Sequence, residues 1–119
     1  MLSILAADEN TARRLSREKG LPDTAACMVA LEGDRTAGYV LYTAEGGQVC
    51  LLHAQADTAP VLDGLLRGAM NSGYLAGCLE AVCTNPELFP VLEGLRFTSA
   101  PGLFCCSLSE FFHRPCNGR

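Results

Sequence analysis

The sequence predicts a single α/β domain: a mixed, mostly antiparallel sheet with one parallel β-α-β crossover and flanking helices. Three observations lead there. The apolar run Val49 to Ala56 is followed by a turn at 57–60, then by a helix-period stripe of Val61, Leu62, Leu65, Leu66, Ala69 and Met70, then by a second apolar run from Leu79 to Thr84. A strand, a helical crossover and a second strand make a right-handed parallel unit. Upstream, Gly33-Asp34 and Gly46-Gly47 separate two further apolar runs from each other and from Val49 to Ala56, the mark of hairpin turns between antiparallel strands. Finally, 119 residues of which 49% are apolar and 18% charged are enough for one core and too apolar for a disordered chain.

The elements follow in order. Residues 1–7 suit an edge strand, and Asp8 or Asn10 can cap a short helix through Thr11, Ala12, Leu15 and Ser16 that ends near Gly20. Leu21-Pro22-Asp23 breaks the chain before strands at 26–31, 38–42 and 49–56. The crossover helix closes at Gly73, and the strand from Leu79 to Thr84 runs into Asn85-Pro86, a cap followed by a proline suited to a first helical turn. A short helix then spans 87–93 with Gly94 as its stop, Pro101-Gly102 is a turn, 103–108 is a last strand, and Ser109 caps a turn holding Phe111 and Phe112. The tail at 113–119 is expected to fray. The expected order is β-α-β-β-β-α-β-α-β.

Bulk properties narrow the function. A net charge of −4 argues against nucleic acid as a partner, which calls for a basic face. No stretch approaches the roughly 20 apolar residues of a membrane span. The leading apolar run stops at Asp8-Glu9 without a basic lead-in, so the expected location is cytoplasmic. Seven cysteines, an odd number placed mostly inside strand patterns, read as reduced core thiols. Cys105, Cys106, His113 and Cys116 do not make a zinc set, because adjacent cysteines reach one tetrahedral ion only under strain. No metal is expected.

From Asn85 onward the pattern resembles the GCN5-related N-acetyltransferase (GNAT) family, and the resemblance covers about the whole chain. Asn85, Pro86-Glu87, Leu88-Phe89, Leu92 and Arg96-Phe97 fall at the spacing of that family's Asn and its closing Gly-Phe pair, and Gly38-Tyr39-Val40 resembles its Gly-led strand. The resemblance implies an acyl-CoA-dependent N-acetyltransferase acting on a small-molecule or protein amine. It places acetyl-CoA against Ala54, Gln55, Ala56, Asp57, Thr58, Ala59 and Asn85, with the main chain around 54–57 at the acyl carbonyl. It also makes His53 the candidate general base, since members often carry their base on this strand.

Departures from the family pattern lie where the cofactor's diphosphate is held. The family reads Gln/Arg-x-x-Gly-x-Gly/Ala at the head of the long helix; this chain reads Asp57-Thr58-Ala59-Pro60-Val61-Leu62. Asp57 sets a negative charge beside the phosphates, Pro60 deletes a donor, and Leu62 adds bulk where main chain should approach. Asp57 or Thr58 can also cap the helix and use up the N–H groups a phosphate would take. Losing two or three charge-assisted bonds of roughly 1.5–3 kcal/mol each turns micromolar affinity into about millimolar or weaker. Seven residues past Asn85, where many members carry a Tyr acid, stands Leu92, and Arg96 replaces the usual Gly.

The bland readings stand beside these. His53, placed by alternation on one face with Val49, Leu51 and Gln55, is either the base or a half-buried histidine bonded to a neighbouring strand. Gly64, Gly68 and Ser72 are either a helix-on-sheet contact or the face of a homodimer. Phe111 and Phe112 cover a sheet edge, the chain's own or a partner's. Three functions remain: an acetyl-CoA-dependent acyltransferase, a GNAT-fold binding or dimerisation module that has lost CoA, and a small-molecule sensor using the cleft between 49–56 and 79–84.

Overall fold

The computed structural model describes residues 1–113; the expected frayed tail and Cys116 lie outside them, apart from His113. Strands β1 (Leu2–Ala6), β2 (Ala26–Glu32), β3 (Arg35–Glu45) and β4 (Gln48–Ala56) form an antiparallel meander. Helix α1 (Glu9–Glu18) lies between β1 and β2, and helix α2 (Ala59–Leu75) crosses from β4 to β5 (Glu80–Cys83), which pairs parallel to β4. A 3-10 turn at Pro86–Leu88 and helix α3 (Phe89–Gly94) follow, then β6 (Thr98–Ala100), β7 (Leu103–Ser107) and helix α4 (Leu108–His113). The sheet order is β1-β2-β3-β4-β5-β7-β6. The expected order lacked β6 and the final helix. Strand β6 is three residues long and fully exposed, so no apolar alternation announces it. Strand β7 inserts between β5 and β6, antiparallel to both.

The two sheet faces carry different helices. Val40, Tyr42, Val49 and Leu51 point into the main core with Leu65, Leu66, Ala69 and Met70 of α2. The alternate residues Cys27 and Leu41 pack with Ala12 and Leu15 of α1. Cys27 and Cys83 are buried as small apolar groups, and burial pushes the Cys27 thiol up to about 11. The stripe Gly64-Gly68-Ser72 faces the sheet, not a partner. A Cβ at Gly64 would lie 2.8 Å from Ile4 Cδ1 and one at Gly68 3.1 Å from Met28 Sδ, while Ser72 bonds the Tyr42 hydroxyl at 3.3 Å. Phe111 and Phe112 cover α2 instead of a sheet edge: Phe112 stacks on Tyr74, and the Arg67 guanidinium lies 5.1 Å from the Phe111 ring centre.

Three helices end alike. After α2 comes Ala76, then Gly77 at φ 101, whose N–H bonds Tyr74 O while Cys78 N–H bonds Gly73 O. This paired closure, the Schellman motif, needs a left-handed residue, so Gly77 and not Gly73 ends the helix. Gly20 does the same for α1. For α3 the left-handed residue is Arg96, at φ 67, with Arg96 N–H bonding Glu93 O and Phe97 N–H bonding Leu92 O. Gly94, expected as the stop, is the last helical residue. The position where the resemblance looks for a glycine is therefore left-handed here and filled by a residue that pays about 1–2 kcal/mol for it.

Arg96→Gly should accordingly stabilise the protein. Relief of that strain exceeds the extra chain entropy of glycine, about 0.4–1 kcal/mol, so urea denaturation should show a gain of several tenths to about 1 kcal/mol. Gly73→Ala should act oppositely, because its Cβ would lie 2.0 Å from Cγ2 of the buried Val49. Overpacking costs about 1–3 kcal/mol, more than alanine's helix advantage of about 1, and the melting temperature should fall.

Candidate active site at the parting of β4 and β5

The parallel seam is short. Gln48, Val49 and Cys50 pair with Glu80, Ala81 and Val82, and there it stops. Strand β3 accompanies β4 on to Ala56, so from His53 to Ala56 the main chain of β4 has a strand neighbour on one side only. Across the gap stands Asn85. Its Nδ2 donates to Leu52 O at 3.1 Å, and its Oδ1 accepts from Glu87 N–H at 3.0 Å, capping the 3-10 turn. Both ends of the amide are thus engaged within the protein.

His53 lies elsewhere than alternation predicts. The register jumps from Leu41↔His53 to Tyr42↔Leu51, leaving Leu52 unpaired in a β-bulge. One extra residue reverses the facing of everything beyond it. His53 and Gln55 therefore leave the face of Val49 and Leu51 and join Tyr39 on the α1 side. The Tyr39 and His53 rings lie 5.7 Å apart, and the Tyr39 hydroxyl donates to Gln55 Oε1 at 3.3 Å. Burial holds the imidazole below the usual histidine range, with Lys19 adding to the shift and Glu87 opposing it. The ring is neutral at physiological pH, the form a general base requires. Its Nε2 is buried and makes no hydrogen bond with the described residues.

The amino end of α2 is largely consumed. Thr58 is its cap: Thr58 Oγ1 accepts from Val61 N–H at 3.4 Å, and Thr58 O accepts from Leu62 N–H at 3.1 Å. Pro60 has no N–H to offer. Asp57 N–H bonds Ala37 O at 2.9 Å, and the Asp57 carboxylate is paired with the Arg35 guanidinium. Thr58 and Ala59 are left as the exposed donors of this end. Beside it a hollow of about 190 Å³ is lined by Thr36, Ala37, Gly38, Tyr39, Gln55, Ala56 and Asp57. Gly38 is obligatory in its wall, since a Cβ there would lie 2.5 Å from Gln55 O.

This architecture coincides with solved acetyltransferases. The ribosomal-protein-S18-alanine N-acetyltransferase of Escherichia coli superposes with a TM-score of 0.69 at 10% identity, covering 91% of this chain and 94% of that one. An N-acetyltransferase from Staphylococcus aureus Mu50 gives 0.65 at 10% identity, covering 91% and 99%. A Bacillus subtilis acetyltransferase in complex with CoA gives 0.64 at 13% identity, covering 84% and 79%. The chain has the GNAT fold. No protein-family model matches the sequence, and no curated relative matches it either, so the likeness is one of fold.

The resemblance noted in the sequence places an acyl-CoA at the parting strands and the head of α2, and the two halves of that place differ in chemistry. The open edge of β4 at 53–56 offers main-chain groups to an amide-bearing arm. The head of α2 fits a diphosphate poorly: Val61 and Leu62 N–H are taken up, Pro60 has none, Thr58 and Ala59 N–H stay open, and the Arg35 guanidinium beside it is paired with Asp57. Leu92, at the position of the family's Tyr, is fully buried and supplies no proton. Tyr74 lies in the last turn of α2 and meets His113 and Phe112. Among the described residues no group of three His, Cys, Asp or Glu side chains converges as a metal site would. The sequence reading did not assign Arg35, Tyr39 or Glu87 to the site. Uninterrupted counting from Glu45↔Gln48 pairs Tyr39 with Ala54; the bulge at Leu52 brings it opposite Gln55, and nothing local ties Arg35 to Asp57.

The His53 environment sets a sign for pH dependence. Its folded pKa lies below the unfolded value of about 6.5, so its effect on stability is absent at neutral pH. Below about 6.5 the unfolded chain takes up the proton first, and stability falls with pH. His53→Gln should remove that share of the acid loss. Melting curves from pH 7.5 to 5 should drop less steeply for the variant, and parallel curves would show that the imidazole is not shielded.

Proposed function

We propose that the chain is an acetyl-CoA-dependent N-acyltransferase that engages the cofactor by its pantetheine arm and holds the diphosphate weakly. The observation that carries this reading is the parting of β4 from β5 after Cys50, which opens the β4 main chain beside His53 at the place where the GNAT fold takes its cofactor. Acetyl-CoA supplies an activated acyl thioester when bound. Main-chain groups of Ala54, Gln55 and Ala56 hold the arm and orient the acyl carbonyl. His53, whose ring is held neutral by burial, is the candidate base for the incoming amine. Thr58 and Ala59 N–H are what remains for phosphate oxygens, and the Asp57 carboxylate nearby works against them. The acceptor is a small-molecule or protein amine; the Escherichia coli neighbour is by name an alanine N-acetyltransferase of a ribosomal protein. A cytoplasmic setting, where acetyl-CoA is plentiful, agrees with this chemistry.

A second reading rests on the capped helix end: a GNAT-fold binding module that no longer takes CoA. One experiment separates the two. Titration calorimetry with acetyl-CoA and with acetyl-pantetheine, which lacks the nucleotide and diphosphate, should give dissociation constants within about tenfold of each other. That corresponds to about 1.4 kcal/mol, less than one full charge-assisted bond. Acetyl-CoA binding 100-fold tighter would show that the diphosphate is held after all. No binding of either at millimolar concentration would leave the module reading.

A further inference from the structure

We infer that the outer edge of β1 is a docking seam for a second copy of this chain, the two β1 strands pairing antiparallel about a two-fold axis at Ile4. This goes beyond the acyltransferase reading and does not depend on it.

The described sheet ends in β1 on one side and β6 on the other, and the two edges are built differently. Strand β6 consists of Thr98, Ser99 and Ala100, all exposed, and is too short and polar to template a partner. Strand β1 reads Leu2-Ser3-Ile4-Leu5-Ala6 and pairs with β2 residue by residue along its whole length. It carries no charge, proline or bulge, the usual means by which an edge is kept single. Neither helix shields it. Helix α1 is seated on Cys27 and Leu41, and α2 packs on Val40, Tyr42, Val49 and Leu51, so Leu2 and Leu5 stay 39% and 51% exposed.

The main chain of this edge says what fits it. Ala7 N–H bonds Cys27 O at 2.9 Å, directly across in the β1–β2 register. Hydrogen-bonded pairs alternate along an antiparallel ladder, so Ser3 and Leu5 also turn their N–H and C=O groups inward, to Leu31 and Val29. Leu2, Ile4 and Ala6 turn theirs outward. That outward set is symmetric about Ile4. When two copies meet antiparallel at that residue, Ile4 faces Ile4 and Leu2 faces Ala6, and every such meeting is a pair that exchanges both N–H···O bonds. On the rungs between, exposed Leu5 of one copy falls beside Ser3 of the other. An edge that complements itself in this way closes as an isologous two-fold dimer, with no strand left over to recruit a third copy.

The same alternation supplies the test. In Ala6→Pro the ring replaces an N–H that faces solvent in the single chain, so the fold loses no ladder bond, while the seam loses Ala6 N–H to Leu2 O at both of its ends. Leu5→Lys sets a cation on the edge from an exposed position. A seam of this length lies below the roughly 1,200 Å² of a standard interface, so association is expected at micromolar protein. Sedimentation velocity of the full chain from roughly 10 μM to 1 mM should show wild type passing from monomer to dimer. Both variants should stay monomeric, with the melting temperature of dilute wild type. Hydrogen exchange followed by NMR adds a signature that another interface would not give. As wild type is concentrated, the amides of Ile4 and Ala6 should slow several-fold, while those of Ser3 and Leu5 are slow throughout. If Ala6→Pro weakens the fold itself, Leu5→Lys and the wild-type exchange pattern decide in the same way. Wild type monomeric at every concentration would overturn the inference and leave the edge to a strand of another protein. A dimer that survives both variants, or one whose formation leaves exchange at Ile4 and Ala6 unchanged, would overturn it as well.

Discussion

The three residue pairs that join β4 to β5 decide most of what this molecule can do. A parallel seam of that length, held on one side by a four-strand meander and on the other by β7, must end inside the sheet, and an ending inside a sheet leaves main-chain groups without a ladder. Two features meet the demand. The bulge at Leu52 bends β4 away, and Asn85 supplies the donor that its bulged carbonyl needs. What remains open is the edge from His53 to Ala56, and there the backbone can serve a ligand.

The head of α2 shows the opposite economy. Helix ends carry unsatisfied N–H groups, and a phosphate site keeps them available. Here Thr58 takes Val61 N–H, and Pro60 has none. Asp57, which would repel phosphate, is instead balanced by Arg35 from the β2–β3 hairpin. The pairing is exposed and contributes little to stability. Its consequence is electrostatic: the cation nearest the helix end is already matched by an internal carboxylate. Fold and local chemistry thus point in different directions within a few residues.

The readings made from periodicity held where side-chain alternation was uninterrupted and failed where one residue was added. Val49 and Leu51 face α2 as alternation requires, but His53 does not share their face, because the unpaired Leu52 shifts the count. Helix ends followed a similar rule. Gly73 and Gly94 looked like stops, yet the stops are set by left-handed residues, Gly77 and Arg96. Gly73 is small for a different reason, the approach of Val49. A glycine in a sequence reports a constraint without saying whether it is conformational or steric.

By itself the sequence indicated the succession of strands and helices up to α3, the apolar stripe of α2, capping at Asp8 or Asn10, at Asp57 or Thr58 and at Asn85, and the departures at 57–62 from the loop of the family it resembles. These rest on interactions within about four residues, which propensity and spacing report directly. Only the tertiary structure decided the insertion of β7 between β5 and β6, the face on which His53 lies, the pairing of Arg35 with Asp57 and the reach of Asn85 to Leu52. Each depends on strand register or on contacts between residues more than ten positions apart. Such contacts are selected by the packing of the whole sheet, and no local pattern encodes them.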